Sequence, residues 1–304
     1  MRTVFLGTSA FAAAVLERLA AAAEHRPALV LTRPDRPRGR GRKLGAPPVA
    51  RMARRLGIAL EQPASVNDPA ARAPIARARP DAVIVCAFGA LITEPLLSAY
   101  ELLNVHPSLL PRWRGAAPIE RAIMAGDART GVSIMRLTAG LDSGPVCLAE
   151  STPIEPHDSY GSLAERLQAL GADLLVRTLD LTARGEPPTF VEQDESGVTY
   201  AEKIGPADRL LDASRPAREL ERVVRALHPH IGARVALADG TLLGVHRASI
   251  ASADPTPGRF AAIDGRLLYG TAEGALQLLE VQPPGARAMA AADYLRGHSP
   301  PDGG

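Results

Sequence analysis

The sequence predicts an α/β protein: a doubly wound, mostly parallel sheet followed by a smaller domain of short strands. Three observations carry that prediction. Apolar runs alternate with amphipathic segments through the first part of the chain, the pattern of successive βα units. The run Ala82-Val83-Ile84-Val85-Cys86-Ala87-Phe88 is apolar on both faces, as a central parallel strand covered by helices must be. Beyond Pro229 the pattern shifts to short apolar runs at 235–237, 242–245, 266–269 and 276–279 separated by Gly and Asp turns, which predicts a small barrel. A chain of 304 residues exceeds one minimal core. We expect a catalytic domain over 1–184, a Pro/Glu/Asp/Gly-rich linker over 185–204 and a second domain over 205–304.

Taken in order, residues 2–6 read as a buried strand and Gly7-Thr8-Ser9 as the turn into a helix over 10–23. Ser9 is placed to cap that helix, and Phe11, Val15 and Leu19 share one face. With one glycine the turn is not a dinucleotide loop, which needs three, so nicotinamide chemistry is disfavoured. After a strand at 28–31 comes a loop holding Arg33, Arg36, Arg38, Arg40, Arg42 and Lys43 against Asp35 alone. Its Pro and Gly exclude a helix, and its self-repelling charge predicts an exposed, mobile loop able to close over a phosphate backbone, the alternative being a solvated turn made basic by the chain's arginine bias. A helix over 49–56, a strand at 58–61 and a helix opening at Asn67-Asp68-Pro69 follow. Gly89 ends the central strand, and a brief helix near 94–99 leads to a strand carrying Asn104 and His106. Strands at 130–137 and 145–149 flank the turn Gly140-Leu141-Asp142-Ser143-Gly144. A helix over 160–182 carries Leu163, Leu167, Leu170 and Leu174 as one stripe. Another over 215–227 buries Leu220, Val223, Val224 and Leu227.

Composition narrows the function. Hydrophobic residues make up 46% and charged residues 22%, ordinary soluble usage that disfavours disorder. No unbroken apolar run approaches the ~20 residues of a membrane span. Met1-Arg2-Thr3-Val4 enters a strand without a leader, so no membrane association and a cytoplasmic location are expected. The net charge of +2 is too small for a general nucleic-acid binder; contact with an acidic partner must come from local clusters. Lys43 and Lys203 are the only lysines, so those clusters are arginine, whose planar fork suits phosphate. Cys86 and Cys147 have neither metal-ligand nor disulfide spacing, and His228-Pro229-His230 reads as a helix-end feature, so no metal is expected.

The chemistry concentrates in Asn104-Val105-His106-Pro107-Ser108-Leu109-Leu110-Pro111-Arg112-Trp113-Arg114-Gly115 and the Asp142 turn. Alternation along a strand turns Val105 into the core and sends the amide and the imidazole out together. Pro107 and Pro111 predict an extended exit from the strand end, where open α/β sheets place ligands. Asn104 suits an oxyanion, His106 carries a proton near neutral pH, and Asp142 fixes its tautomer or raises its basicity. These are the parts for acyl transfer to an amine. An α-amino group of pKa about 7.7–8.0 is partly neutral at pH 7, so no strong base is required. Asn-x-His alone fits a pair of core polar groups equally well, and Trp113 fits a capping hydrophobe. Ser108 lacks the Gly-x-Ser-x-Gly elbow of a nucleophile.

Those residues carry a resemblance. The run from Asn104 to Ile119, with Gly126-Asp127, Thr130-Gly131-Val132, Ile134-Met135 and Gly140-Leu141-Asp142-Ser143-Gly144, resembles the 10-formyltetrahydrofolate-dependent formyltransferases, and in its length those acting on methionyl-tRNA. Gly7-Thr8, Phe11-Ala12, Pro34-Asp35-Arg36-Pro37, Gly39-Arg40-Gly41 and Thr199-Tyr200-Ala201-Glu202-Lys203 match the same group, so the likeness spans about 3–290. It implies a Rossmann-like formyltransferase fold with an OB-like carboxy-terminal barrel. The implied reaction moves a formyl group from 10-formyltetrahydrofolate to the α-amine of methionine on initiator tRNA, in a monomeric enzyme. Asn104, His106 and Asp142 are implied as catalytic, Ser108, Leu109, Leu110 and Pro111 as lying along the folate, and the backbone of Ala87, Phe88 and Gly89 as facing the pterin. Phe11 would contact the methionyl side chain. Arg36, Arg38, Arg40, Arg42 and Lys43 would approach the tRNA, Arg40 reaching the acceptor stem. A sugar-nucleotide amine, glycinamide ribonucleotide or water would be the acceptor under other readings of the same triad.

Two departures stand out. Ser9 replaces the proline usual after Gly-Thr, and His230-Ile231-Gly232 replaces a tryptophan-containing pattern. In the second domain eleven arginines balance eleven acidic residues, although six of those arginines fall within 209–234.

Overall fold

In the computed structural model, which describes residues 1–38, 43–301 and 303, the chain begins β1 (Thr3–Gly7), α1 (Ala10–Ala21), β2 (Pro27–Leu31), β3 (Arg36–Arg38), β4 (Lys43–Gly45), α2 (Pro48–Leu56) and β5 (Ala59–Glu61). It continues α3 (Pro69–Ala78), β6 (Ala82–Cys86), α4 (Leu96–Ala99), β7 (Leu102–His106), β8 (Arg114–Gly115), α5 (Pro118–Ala125), β9 (Arg129–Arg136), β10 (Val146–Pro153) and α6 (Tyr160–Ala183). The remainder runs β11 (Tyr200–Ala201), α7 (Ala217–Leu227), β12 (Ala233–Ala236), β13 (Leu242–Ala251), β14 (Phe260–Ile263), β15 (Arg266–Gly270), β16 (Ala275–Gln282), β17 (Met289–Ala290) and α8 (Ala291–Gly297). Contacts divide it into two units. The first holds Met1–Pro118, Arg129–Pro153 and Ala164–Ala201; the second holds Ile119–Ala128, Ile154–Leu163 and Glu202–Gly304. No helix among the described residues is long and apolar enough to cross a membrane.

The first unit is built on a seven-stranded sheet in the order β10-β9-β7-β6-β1-β2-β5. β1 pairs in parallel with both β2 and β6, so the chain winds one way from β1 through β2 to β5 and then crosses to β6 and β7 on the other side. That reversal makes a switch point, whose crevice lies beyond the carboxyl ends of β1 and β6. β9 and β10 are antiparallel additions at the β7 edge. β1, β6 and β7 are buried along their whole length, and β6 is apolar at every position. Val4, Leu6, Val83, Val85 and Leu102 join one core cluster together with Leu29, Leu31, Ile75 and Phe88.

The helices follow their sequence signals with instructive exceptions. Ser9 caps α1 by accepting from the Ala12 N–H at 3.1 Å, and Phe11, Val15 and Leu19 are buried. Asp68 stands at the start of α3 without a side-chain cap bond. Asn67 instead reaches across to the Leu91 carbonyl and the Thr93 N–H, holding the loop after β6. On α6 the buried stripe passes through Gly171 in place of Leu170. A Cβ at 171 would stand 2.9 Å from Val105 Cγ1, so glycine allows the close approach of helix and β7 there. The basic segment is more regular than a plain loop, since β3 and β4 pair antiparallel with Arg36 opposite Gly45 and Arg38 opposite Lys43. Arg40 and Arg42, two of the expected tRNA residues, lie outside the described residues.

The second unit carries the run of short strands as an antiparallel sheet in the order β12-β13-β16-β15-β14, with β17 added on β16. The stripe Leu220, Val223, Val224 and Leu227 on α7 is buried against Val235, Leu243, Val245, Leu276, Leu278 and Val281. This is the expected amphipathic helix on a half-buried sheet, with apolar residues inward on both.

Candidate active site

β7 ends beside the switch point and presents its two polar residues as the alternation requires. Asn104 sits opposite Val85 of β6 and Met135 of β9, and His106 opposite Ser133. Leu103 and Val105 turn to the α6 face, leaving Asn104 and His106 together on the other. Both are nearly enclosed, 7% and 4% exposed. Burying an amide and an imidazole is costly unless their polar atoms are bonded, so their partners define the site.

The chain does not leave β7 as an extended segment. It folds back at once: the Ser108 N–H donates to the His106 carbonyl (2.9 Å), the Ser108 hydroxyl to the Arg112 carbonyl (2.7 Å), and the Arg112 N–H to the Leu109 carbonyl (3.0 Å). The Ser133 hydroxyl clamps the outside of this turn, donating to the Ser108 carbonyl and accepting from the Leu110 N–H. The prolines that exclude a helix serve the fold-back equally well. Its result is that Trp113, at φ 65°, brings its carbonyl to 2.9 Å from His106 Nε2.

That contact settles a tautomer. A carbonyl only accepts, so Nε2 carries a proton and donates it to Trp113, leaving Nδ1 as the ring nitrogen that accepts in the neutral form. Nδ1 faces Asp142 Oδ2 at 3.6 Å, beyond hydrogen-bond range. The carboxylate is held elsewhere, since Oδ2 accepts the Gly115 N–H at 2.8 Å. Asp142 itself has φ 45°, in the left-handed region that aspartate tolerates better than most residues.

Immediately beside β7, the segment after β6 leaves its strand through Ala87 (φ 41°) and Gly89 (φ 70°). The Phe88 side chain is buried in the core, so the backbone is what this segment turns toward the crevice. Thr8 Oγ1 donates to the Phe88 carbonyl (2.7 Å) and Arg33 to the Gly89 carbonyl (2.9 Å), tying the loop to the end of β1 and to the basic segment. Cys86, paired with Gly7, is fully buried, and burial pushes its thiol far above the usual range, so it has no nucleophilic part here.

Residues 1–179 match the formyl transferase family, and residues 203–299 match the formyl transferase C-terminal domain. The chain belongs to the formyltransferase family. It is 43% identical over 303 residues to a methionyl-tRNA formyltransferase of Methylococcus capsulatus, covering 98% of this chain and 97% of the relative. It is 44% identical over 305 residues to that of Roseobacter denitrificans, covering 100% and 98%. Among solved structures it is similar to HypX from Aquifex aeolicus in complex with tetrahydrofolic acid, with a TM-score of 0.67 at 19% identity; the match covers 97% of this chain and about half, 47%, of the HypX chain. At that identity the likeness speaks for the fold.

The other expected residues of this formyltransferase are distributed unevenly. Leu109, Leu110 and Pro111 are partly exposed on the fold-back, whereas Ser108 is fully buried with its hydroxyl used inside the turn. Phe11 is buried in the first turn of α1. Arg36 is exposed on β3, at a small cavity of about 100 Å³ that Thr8, Arg33, Pro34, Gly45 and Pro47 also line. A larger cavity of about 660 Å³ lies between α1 and α6, lined by Arg18, Asp173 and Asp180, away from the strand ends that carry the site. Among the described residues Glu24, His25 and Asp180 are spaced to hold a cation. His25, however, is already engaged on both nitrogens, by the Met1 amine at 3.3 Å and by Asp180 at 2.8 Å.

Sequence reasoning missed a further layer. The segment expected as a linker returns to the site: β11 pairs in parallel with β8, and the Ala201 carbonyl accepts from the N–H groups of Ala116 and Ala117. Gly115 has φ 122°, and a Cβ there would stand 2.8 Å from the Ala201 carbonyl oxygen, so this position needs glycine twice over. The Thr199 hydroxyl accepts the Trp113 N–H, and the buried Arg114 pairs with Glu195. Gln193 bonds the Asp142 turn directly. The matched Thr199-Tyr200-Ala201 was a signal for β11; nothing in the sequence singled out Gln193.

Proposed function

We propose that this chain transfers the formyl group of 10-formyltetrahydrofolate to the α-amine of methionyl-initiator tRNA. The observation that carries the chemistry is the convergence of Asn104, His106 and Asp142 at the end of β7. The acceptor is supported by end-to-end similarity to methionyl-tRNA formyltransferases. In this reading residues 1–184 carry the reaction and 205–304 support the tRNA, with 185–204 connecting them in a monomer.

The folate lies with its pterin against the backbone of Ala87, Phe88 and Gly89 and its length along Leu109, Leu110 and Pro111, with Ser108 shaping that wall from within. The methionyl side chain is met at Phe11. As the amine adds to the formyl carbon, the Asn104 amide donates to the oxygen on which charge develops. The new N–C bond leaves an ammonium, whose proton is taken at His106 Nδ1, and the Asp142 carboxylate 3.6 Å away stabilises the imidazolium so formed. The C–N bond to the folate then breaks and the proton passes to the departing nitrogen. Trp113, by holding Nε2–H, keeps Nδ1 as the exchanging atom. Arg36, Arg38, Arg40, Arg42 and Lys43 supply cationic contacts to tRNA phosphates.

A panel of acceptors incubated with 10-formyltetrahydrofolate tests this reading. Initiator methionyl-tRNA should be formylated in preference to elongator methionyl-tRNA, and Arg40→Ala should weaken use of the tRNA substrate and flatten its salt dependence by lowering counterion release. Equal or better use of a sugar-nucleotide amine or glycinamide ribonucleotide, or formate release without an acceptor, would replace it.

A further inference from the structure

We propose that Gln193 is a positioning residue for formyl transfer: its carboxamide holds the Asp142 turn, and through it the carboxylate beside His106, in working geometry. The inference rests on the reading of Asp142 given above. Gln193 Nε2 donates to the carbonyls of Asp142 at 2.8 Å and Gly144 at 2.7 Å, bridging both sides of Ser143. Its Oε1 accepts from Arg114 Nε at 3.0 Å. The partners fix which way the amide points, because the two carbonyls only accept and the guanidinium only donates.

Asp142 needs such a hold. Its ring partner is too distant for a hydrogen bond, and its backbone sits at φ 45°. Two attachments keep it there: the Gly115 N–H on the carboxylate and Gln193 on the backbone. Both depend on one stretch of chain, since Gly115 is fixed by pairing with Ala201 and Gln193 lies eight residues earlier in the same segment. Arg114 completes the frame. Its guanidinium is buried, and its Glu195 partner is largely exposed, so Gln193 supplies an acceptor on the sheltered side.

A bland alternative is that Gln193 only anchors Arg114 and its segment. Gln193→Glu separates the two roles. A carboxylate of the same shape accepts from Arg114 at least as well, but it cannot donate to the two carbonyls of the turn. In steady-state formylation of methionyl-tRNA by the full chain, Gln193→Glu should lower kcat by roughly 10- to 100-fold, as sub-ångström misplacement of a reacting group does. KM should stay within about threefold, because no substrate contact is removed. Its melting temperature should stay near wild type, and Gln193→Ala should lose kcat to a similar degree. Wild-type kcat in Gln193→Glu, or a loss confined to KM, overturns the proposal. Absence of methionyl-tRNA formylation in the wild-type chain would instead remove the functional reading on which it rests.

Discussion

Each unit of this chain sets a histidine beside a carboxylate, and the two pairs are built differently. In the second unit His230 Nε2 is 2.9 Å from Glu120 Oε1, and its ring stacks on Tyr160 with centroids 3.6 Å apart and planes 23° from parallel. In the first, His106 Nδ1 stops 3.6 Å short of Asp142, whose oxygen is occupied by a backbone N–H, while Nε2 is held by a carbonyl. A directly bonded, stacked imidazole has its proton committed to structure. One whose carboxylate is close but tied elsewhere keeps a nitrogen for proton exchange, with a negative charge near enough to stabilise the result. Under the proposed mechanism, the 0.7 Å between 3.6 and 2.9 Å separates a pair that exchanges a proton from one that braces the fold.

Replacing the two rings should give the largest contrast. His106→Ala should reduce kcat for formyl transfer on the order of 10³-fold while methionyl-tRNA still binds. His230→Gln should leave kcat within about threefold and lower unfolding free energy by roughly 1–2 kcal/mol, from the lost stack and hydrogen bond. Comparable rate losses in both, measured beside urea unfolding, would dissolve the distinction. The carboxylates sharpen it at smaller amplitude. Asp142→Asn retains an oxygen for the Gly115 N–H but removes the charge facing Nδ1, so kcat should fall by about 10²-fold with little change in stability. Glu120→Gln should do the reverse, costing about 1 kcal/mol of stability with kcat unchanged.

How much of this was legible in the sequence depended on the range of the interaction. β6 and β7 could be read because burial on both faces, and the alternation of Asn104, Val105 and His106, are local patterns with a fixed period. The α7 stripe was legible for the same reason. The turn after Pro107 was not. Proline excludes a helix without choosing between an extended exit and a fold-back, and the choice is made by Ser108 bonding Arg112 and by Ser133, which is distant in sequence. The 193–201 segment lies within 185–204, which reads as a linker from its Pro, Glu, Asp and Gly content; that content reports local stiffness and polarity but not that Ala201 pairs with Gly115. Gln193 was invisible because a single amide acquires meaning only from the three groups around it. His230 was noticed as one of two histidines flanking a proline, yet its partner Glu120 lies 110 residues away.

An effect confined to alkaline pH concerns Tyr160, the ring stacked on His230. Its phenol is pushed up from 10.0 to about 12, first by burial and then by the negative charge of Glu120. A raised pKa in the folded state means that folding favours the protonated phenol. The corresponding stability is complete below pH 10 and disappears as pH rises through about 12. Because the side chain is only partly buried, the amount is roughly 1–2 kcal/mol, less than the full shift converts to. Tyr269 and Tyr294 are raised by burial too and add to any alkaline unfolding, so the quantity to measure is the difference between wild type and Tyr160→Phe in urea, from pH 9 upward. Wild-type stability should fall relative to Tyr160→Phe as pH rises between 10 and 12. Glu120→Gln should make that loss slightly smaller and complete it at a slightly lower pH, since burial is the larger cause. If removing Glu120 instead brought the phenol back to its ordinary range, the carboxylate would be acting mainly on Tyr160 and only incidentally on His230. The bracing pair would then have to be redrawn as tyrosine and glutamate with the imidazole between them.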